Sequence, residues 1–264
     1  MRTRTQNSSL TNALQIIKSF NLENTELSLR EIAESQNISI STAMRLLKTI
    51  EEENFIIHNK QEHTYKLGTS VLRLTNVLLG EFDLLMEMTP YLKELVKKTG
   101  QSAHIAMLQD RDVLYLKKED GEILLPLKSH IGRRNPFYAT SSGQVIAAYL
   151  QEDQRLALLQ NTRFEMFTHT TMTTMEECES RFTEIRQQGY SVSKEELHAG
   201  FMSIAAPIRN KFHEVIASVS IAGQIKTIQL NEEKHIYAVV KAAEGLTQFI
   251  QQSKMRTAYD LFNK

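Results

Sequence analysis

The sequence predicts an α+β chain in two parts, and three observations carry that reading. Between residues 10 and 55 apolar residues recur at three-and-four spacing, the mark of amphipathic helices. From residue 101 the pattern changes to alternation, and strands, then helices, then strands again indicate a mainly antiparallel sheet. Between the two parts lies "TSVLRLTNVLLGEFDLLMEM", a helical stretch richer in leucine than a simple connector requires.

A chain of 264 residues, 41% hydrophobic and 23% charged, has enough apolar material for two packed cores. Its formal net charge of zero gives no global sign of a protein that coats polyanions, so any nucleic-acid footprint must be local. Through residue 80 there are nine Lys/Arg against eight Asp/Glu, again close to balance. The single Cys178 excludes an internal disulfide framework; between Glu177 and Glu179 it reads as a helix-face residue rather than a nucleophile. The amino terminus lacks the apolar segment of a secretory signal and no window spans a bilayer, so a cytoplasmic location is expected.

The first helix, "LTNALQIIKSF", is expected to bury Leu10, Ala13, Leu14, Ile17 and Phe20. Ser28 and Glu31 form a capping-box pattern that opens a second helix burying Leu29, Ile32 and Ala33. "SQNIS" breaks it, Asn37 being a type that tolerates a left-handed turn. In the third helix Ala43, Leu46, Leu47 and Ile50 fall on one side and Ser41, Arg45 and Lys48 on another, with Asn54 as a left-handed stop. "FIIHNKQEHTYKLG" follows as two short strands around the polar turn "NKQE". Three helices and a hairpin describe a winged helix-turn-helix, assigned to residues 1–68.

Residues 69–88 form the expected linker and dimerisation helix. Thr89 and Pro90 look like an N-cap and first helical position of a helix stopped by Gly100. "SAHIAMLQ", "DVLYLKKE" and "EILLPLKS" read as strands, followed by helices near 142–150, 153–160 and 175–188. "FMSIAAPIRN" and "EVIASVSIAG" are further strands, and residues 231–252 a closing helix. The second domain spans 89–264.

In a helix-turn-helix the second helix enters the major groove, where hydroxyl, amide and basic side chains read base edges. Ser39, Ser41, Thr42 and Arg45 supply such groups at the helix start, and Met44 is suited to a thymine methyl. Lys48, Arg30 and the wing residue Lys60 suit phosphates. The plainer alternative is that the hydroxyls are caps and the Arg–Lys face is merely solvated.

"STAMRLLKTIEEENF" resembles the recognition helix of the isocitrate-lyase-regulator (IclR) family of bacterial transcription factors, commonly Ser-Thr-x-x-Arg-Leu-Leu and ending in Gly-Phe, where this chain has Asn54-Phe55. "YKLG" matches the end of that family's wing. "HIGRRNPFYATSSGQVIAAYL", "GYSVSKEELHAGFMSIAAPI" and "ASVSIAG" are similar, in order, to its later motifs. The resemblance covers nearly the whole chain. It implies a GAF-like effector domain, double-stranded operator DNA as partner, assembly as a homodimer or homotetramer, and a small-molecule effector.

The helix start at "ATSSGQ" is where a carboxylate or other anion is expected, on Ser141, Ser142 and Gly143; capping and close packing explain the same residues equally well. Carried over from the family, the pocket positions are Ser193, Ser203, Ser220 and Ala222. Ser193 replaces a residue often acidic, Ser203 a Cys, Ala222 a Ser, and Gln144 stands in place of a Lys. Glyoxylate or pyruvate therefore does not carry over as effector, since specificity follows the few polar groups.

No cofactor, metal or catalytic site is expected: there is no H-E-x-x-H spacing, P-loop or dinucleotide glycine signature. Glu195 and Glu196, adjacent in an expected strand, would point to opposite faces and take structural or loop roles. Arg133 and Arg134 read either as a solvated turn or as a greeting for an anion. The expected function is a ligand-responsive transcriptional regulator, a repressor of a catabolic gene set or, alternatively, an activator. A serine-dependent enzyme using Ser141 or Ser203 is the remaining alternative.

Overall fold

The computed structural model describes residues 8–21, 24–81, 83–122 and 130–252. The chain divides into two compact units between Glu81 and Phe82. That division falls inside the expected linker, which is two helices, α4 (Thr69–Glu81) and α5 (Asp83–Glu87). Of the linker's apolar residues, Leu72 and Leu74 are exposed while Leu85 is buried in the second unit's core.

The first unit holds α1 (Ser9–Ser19), β1 (Glu26–Ser28), α2 (Leu29–Ser35), α3 (Ile40–Glu52), β2 (Ile56–Asn59) and β3 (Thr64–Leu67). Its core is Ile16, Phe20, Ile32, Leu46, Leu47, Ile50, Ile56 and Tyr65. Each fully buried Leu or Ile contributes about 1.5–3 kcal/mol, so this cluster, not helix propensity, holds the helices together. The face of α1 is rotated from expectation: Ile16 is buried, whereas Leu10 and Leu14 lie exposed. The wing is three-stranded rather than a simple hairpin, because Glu26–Ser28 pair antiparallel with β3 in the order β1-β3-β2.

The α2–α3 turn follows from its sequence. Ser28 and Glu31 complete the capping box, Asn37 takes φ +52°, and the N–H of Ile38 returns to the carbonyl of Ala33 at 3.0 Å. Ala33 and Ala43 are buried, so no bulky side chain stands at those two positions as α2 and α3 pack together. Asn54, φ +58°, ends the third helix in the left-handed conformation expected of it.

In the second unit α5 is followed by α6 (Thr89–Thr99), closed by Gly100 at φ +68°. The N-cap is Met88, one residue before expectation, and Thr89 instead donates its hydroxyl to the Met86 carbonyl at 2.6 Å. There follow β4 (Ser102–Gln109), β5 (Asp112–Glu119), β6 (Arg134–Pro136), α7 (Ser141–Ala148), α8 (Glu152–Gln160), α9 (Met175–Gln188), β7 (Ser191–Lys194), β8 (Phe201–Arg209), β9 (Val215–Gln224), α10 (Ile225–Gln229) and α11 (Glu232–Gln252). The expected strand "EILLPLKS" falls, but for Glu122, on 123–129, outside the described residues.

The six strands pair antiparallel in the order β6-β5-β4-β9-β8-β7. Strand period two splits their residues between two layers. Ala103, Ile105, Ile204, Ala206, Val219 and Ile221 pack with α6 and α11, while Ala106 and Ala205 pack with α7 and α9. Every residue of α7 is buried, which its composition of Ser, Gly, Ala and single aliphatics allows between a sheet and a second helix.

Candidate functional site

The exposed side of α3 is built by subtraction. Ala43, Leu46, Leu47 and Ile50 are its buried residues, so Ile40, Ser41, Met44, Arg45 and Lys48 face outward. Ser39 is the N-cap: its hydroxyl accepts from the Thr42 N–H at 3.2 Å and lies 3.0 and 2.8 Å from the hydroxyls of Ser41 and Thr42. Arg45 has no ion pair among the described residues. Lys48 reaches Glu52 at 4.0 Å and Arg30 reaches Glu34 at 3.0 Å, both pairs well exposed. Solvent screens such pairs, so a phosphate can replace the carboxylate at little cost. Lys60 opens the wing turn, where the Asn59 side chain accepts from the Gln61 N–H at 3.1 Å.

In the second unit, cross-strand register assembles a polar floor. Ser193, Ser203, Ala222 and Ser102 lie in one row across β7, β8, β9 and β4; Ser191, Ala205, Ser220 and His104 form the next. α7 lies over them, its Ser141 donating to Ser203 at 2.8 Å and its Ser142 to Ser220 at 2.9 Å. The cavity at this place is about 70 Å³, and its lining includes Ser141, Ser142, Ser193, Ser203, Ser220 and Ala222. Six of the seven expected positions thus meet in one place.

Gly143 does not line this cavity. A Cβ there would sit 2.4 Å from the Phe137 Cα and carbonyl oxygen, and its N–H is taken by the Thr140 hydroxyl at 3.2 Å. Its role is close packing, and the anion-holding expectation is corrected for that residue.

Sequence reading missed His104, Tyr115, Asn135 and His198, which also line the cavity with Arg133 and Glu196. They come from separate strands and a turn, so no local spacing announces them. Burial drives the His104 imidazole down to about 3, leaving it neutral and able to donate one hydrogen bond and accept one. His198 is also lowered, by burial and then by the charge of Arg133. Arg134, by contrast, turns to Asp110 at 3.1 Å and Asp112 at 3.2 Å, a surface role.

Glu195 and Glu196 lie beyond β7 rather than within a strand. Glu195 takes φ +61° and caps the turn by accepting from the Gly200 N–H at 2.6 Å. Glu196 is buried; it accepts from Arg181 at 2.9 Å, Ser193 at 3.0 Å and the Gln144 amide. Burial nevertheless raises its carboxyl above the ordinary range against the pull of Arg181. Gln144, fully buried, also donates to the Tyr138 carbonyl at 2.8 Å and accepts from Ser191 at 2.8 Å. A neutral amide can donate and accept at once, which a lysine in this position could not.

Residues 77–246 match the model of the bacterial transcriptional regulator IclR C-terminal domain, and residues 9–58 that of the IclR helix-turn-helix domain. The chain belongs to the IclR family. It is 34% identical over 214 residues to the HTH-type transcriptional regulator XynR of Escherichia coli, covering 81% of this chain and 85% of that one. With the transcriptional repressor IclR of the same organism it shares 26% over 242 residues, 90% and 88% of the two chains. In fold it is similar to an IclR homolog from Microbacterium hydrocarbonoxydans crystallised with 4-hydroxybenzoate, with a TM-score of 0.81, 20% identity, and coverage of 93% and 100%.

These IclR relatives are DNA-binding transcriptional regulators, not enzymes. Ser141 and Ser203, the two candidate nucleophiles, hydrogen-bond each other at 2.8 Å. No group of metal-ligating side chains occurs among the described residues, and no helix there is long and apolar enough to cross a membrane.

Proposed function

We propose that this chain is a ligand-responsive repressor of a catabolic gene set, acting in the cytoplasm and binding a near-palindromic operator as a dimer or tetramer. The observation that carries the proposal is the outward side of α3, where Ser41, Met44 and Arg45 stand exposed opposite a fully buried apolar side. Arg45 reads base edges together with Ser41 and Thr42, and Met44 meets a thymine methyl. Ser39 caps the helix that presents them. Arg30, Lys48 and Lys60 bind phosphates. Exposed Leu72 and Leu74 on α4 favour self-association, which sets two recognition helices about 34 Å apart, or a multiple of it.

The effector binds in the cavity under α7, on Ser141, Ser142, Ser193, Ser203 and Ser220, with Ala222 leaving room beside them. It shifts the protein between DNA-binding geometries through its differential affinity for them. A relative named as a repressor favours repression over activation. Genome-wide mapping of bound DNA, followed by a mobility-shift titration on the mapped sites, tests the reading. Arg45→Ala is expected to lose sequence preference while self-association is retained; unchanged preference would overturn the role of α3.

A further inference from the structure

The outward side of α3 carries two parallel rows, because residues four apart stand about 5–6 Å from one another along one flank of a helix. Ser41 and Arg45 form a polar row. Ile40 and Met44 form an apolar one, between the polar row and the buried side. These two side chains are 52% and 54% exposed, and neither belongs to the apolar cluster of its unit. Packing within the unit therefore does not account for them.

The hydroxyls beside them are partly spent on each other. The Ser39 hydroxyl lies 3.0 Å from that of Ser41 and 2.8 Å from that of Thr42. Each of these bonds takes a different proton, so the cluster keeps a single hydroxyl proton, besides its lone pairs, for an outside partner. The charged residues between Ile40 and Thr49 are Arg45 and Lys48, and the acids of α3, Glu51 and Glu52, stand at its far end. An apolar pair flanked by cations suits the major groove, where thymine C5-methyl groups lie between phosphate backbones. It does not suit a protein partner. Two side chains fall far short of the ~800 Å² per side of a stable protein interface, and the cores of such interfaces are poor in charge.

We propose that Ile40 and Met44 form a two-residue methyl reader, each covering one thymine C5-methyl, and that each operator half-site holds two thymines one or two base pairs apart. This rests on the reading of α3 as the base-contacting helix. The spacing follows from the helix: about 5–6 Å between the two side chains spans one to two steps of the ~3.4 Å rise of a DNA strand. Ile40 thereby joins Met44 and Arg45 in determining which sequence is bound. The polar row selects by hydrogen bonds and the apolar row by methyl groups.

The test is selection of duplexes from a random-sequence pool by the full-length protein. The selected duplex is then titrated with each thymine replaced singly by uracil, which removes only the C5-methyl. Wild type is expected to select two thymines at that spacing and to bind about fourfold less tightly for each methyl removed, the scale of burying one such carbon. Ile40→Ala should abolish the uracil effect at one thymine and Met44→Ala at the other, each leaving its neighbour's effect intact. Melting temperatures verify the fold of both variants, alanine being the better helix former. Uracil tolerated at every position, or a uracil effect that neither variant alters, overturns the methyl reader while α3 remains the base-contacting helix. Self-association lost in Ile40→Ala, with the uracil effect unchanged, overturns it in favour of a second copy of the chain on this row. A pool that yields no enriched sequence overturns the methyl reader and the base-contacting role of α3 together.

Discussion

The hydroxyl of Ser142 in α7 donates to the hydroxyl of Ser220 in β9 across 2.9 Å, in a fully buried position. This bond fixes the start of the helix to the sheet at the edge of the cavity. Ser220→Ala would leave the Ser142 hydroxyl buried without its acceptor, a loss of about 1–3 kcal/mol. Ser142→Ala combined with Ser220→Ala should cost less than Ser220→Ala alone, because no orphaned group remains. Urea unfolding of wild type and the two variants measures both effects.

Gly143 has no room for a side chain. An added methyl would stand 2.4 Å from backbone atoms of Phe137, which cannot rotate away as a side chain could. Gly143→Ala is expected to cost about 1–3 kcal/mol, the ordinary scale of overpacking, and to displace the start of α7. A lower unfolding midpoint together with weaker effector affinity would verify it; a wild-type midpoint would refute the close packing.

The regular parts of the fold were legible in the sequence because they repeat a period. The four buried residues of α3 and the span of α9 follow from helical spacing over three or more turns. Strands β1 and β6, of three residues each, are too short to display alternation and exist through pairing with neighbours. The α1 face was misread because Leu10 and Leu14 fit the helical repeat as well as Ile16 does; only packing separates them. In the cavity, Ser193, Ser203 and Ser220 were legible through family motifs, and Ser141 and Ser142 through the small polar residues at a helix start. His104, Tyr115, Asn135 and His198 converge by tertiary folding alone, and Arg133, though noticed, could not be distinguished from the surface-paired Arg134.

His104 makes stability depend on acid. Its folded-state value of about 3 lies below the 6.5 of an ordinary imidazole, so the unfolded chain binds more protons as pH falls through that window. Stability from this group is complete above pH 6.5 and is lost below it, by about 1.4 kcal/mol per pH unit. His104→Gln should flatten the dependence relative to wild type between those limits. Paired urea titrations from neutral pH downward measure the difference in slope, and parallel slopes would reject it.

Cys178 offers a clean probe of opening, being the single cysteine of the chain. It is buried in α9, and burial together with Glu177 pushes its thiol up to about 12. A thiol so placed is almost wholly protonated at neutral pH and shielded from reagents. Native protein should react with a disulfide reagent far more slowly than denatured protein, at a rate that follows unfolding. Rapid stoichiometric labelling without denaturant would contradict the buried placement.

Arg45 and Lys48, both exposed on α3 and about one turn apart, should fail in different ways when removed. Arg45 stands near the helix start with the hydroxyls, where a guanidinium reaches a base edge; Lys48 lies further along, beside Glu52. A lost bidentate base contact costs about 1–3 kcal/mol and relaxes choice at one base pair. A lost phosphate contact weakens all sequences alike and reduces the slope of log affinity against log salt by about one per binding site. Arg45→Ala should therefore lower the ratio of operator to random-DNA affinity, whereas Lys48→Ala should preserve that ratio and flatten the salt dependence. Titrations of operator and scrambled duplex at several salt concentrations separate the two, and an unchanged ratio in Arg45→Ala would remove this residue from base reading.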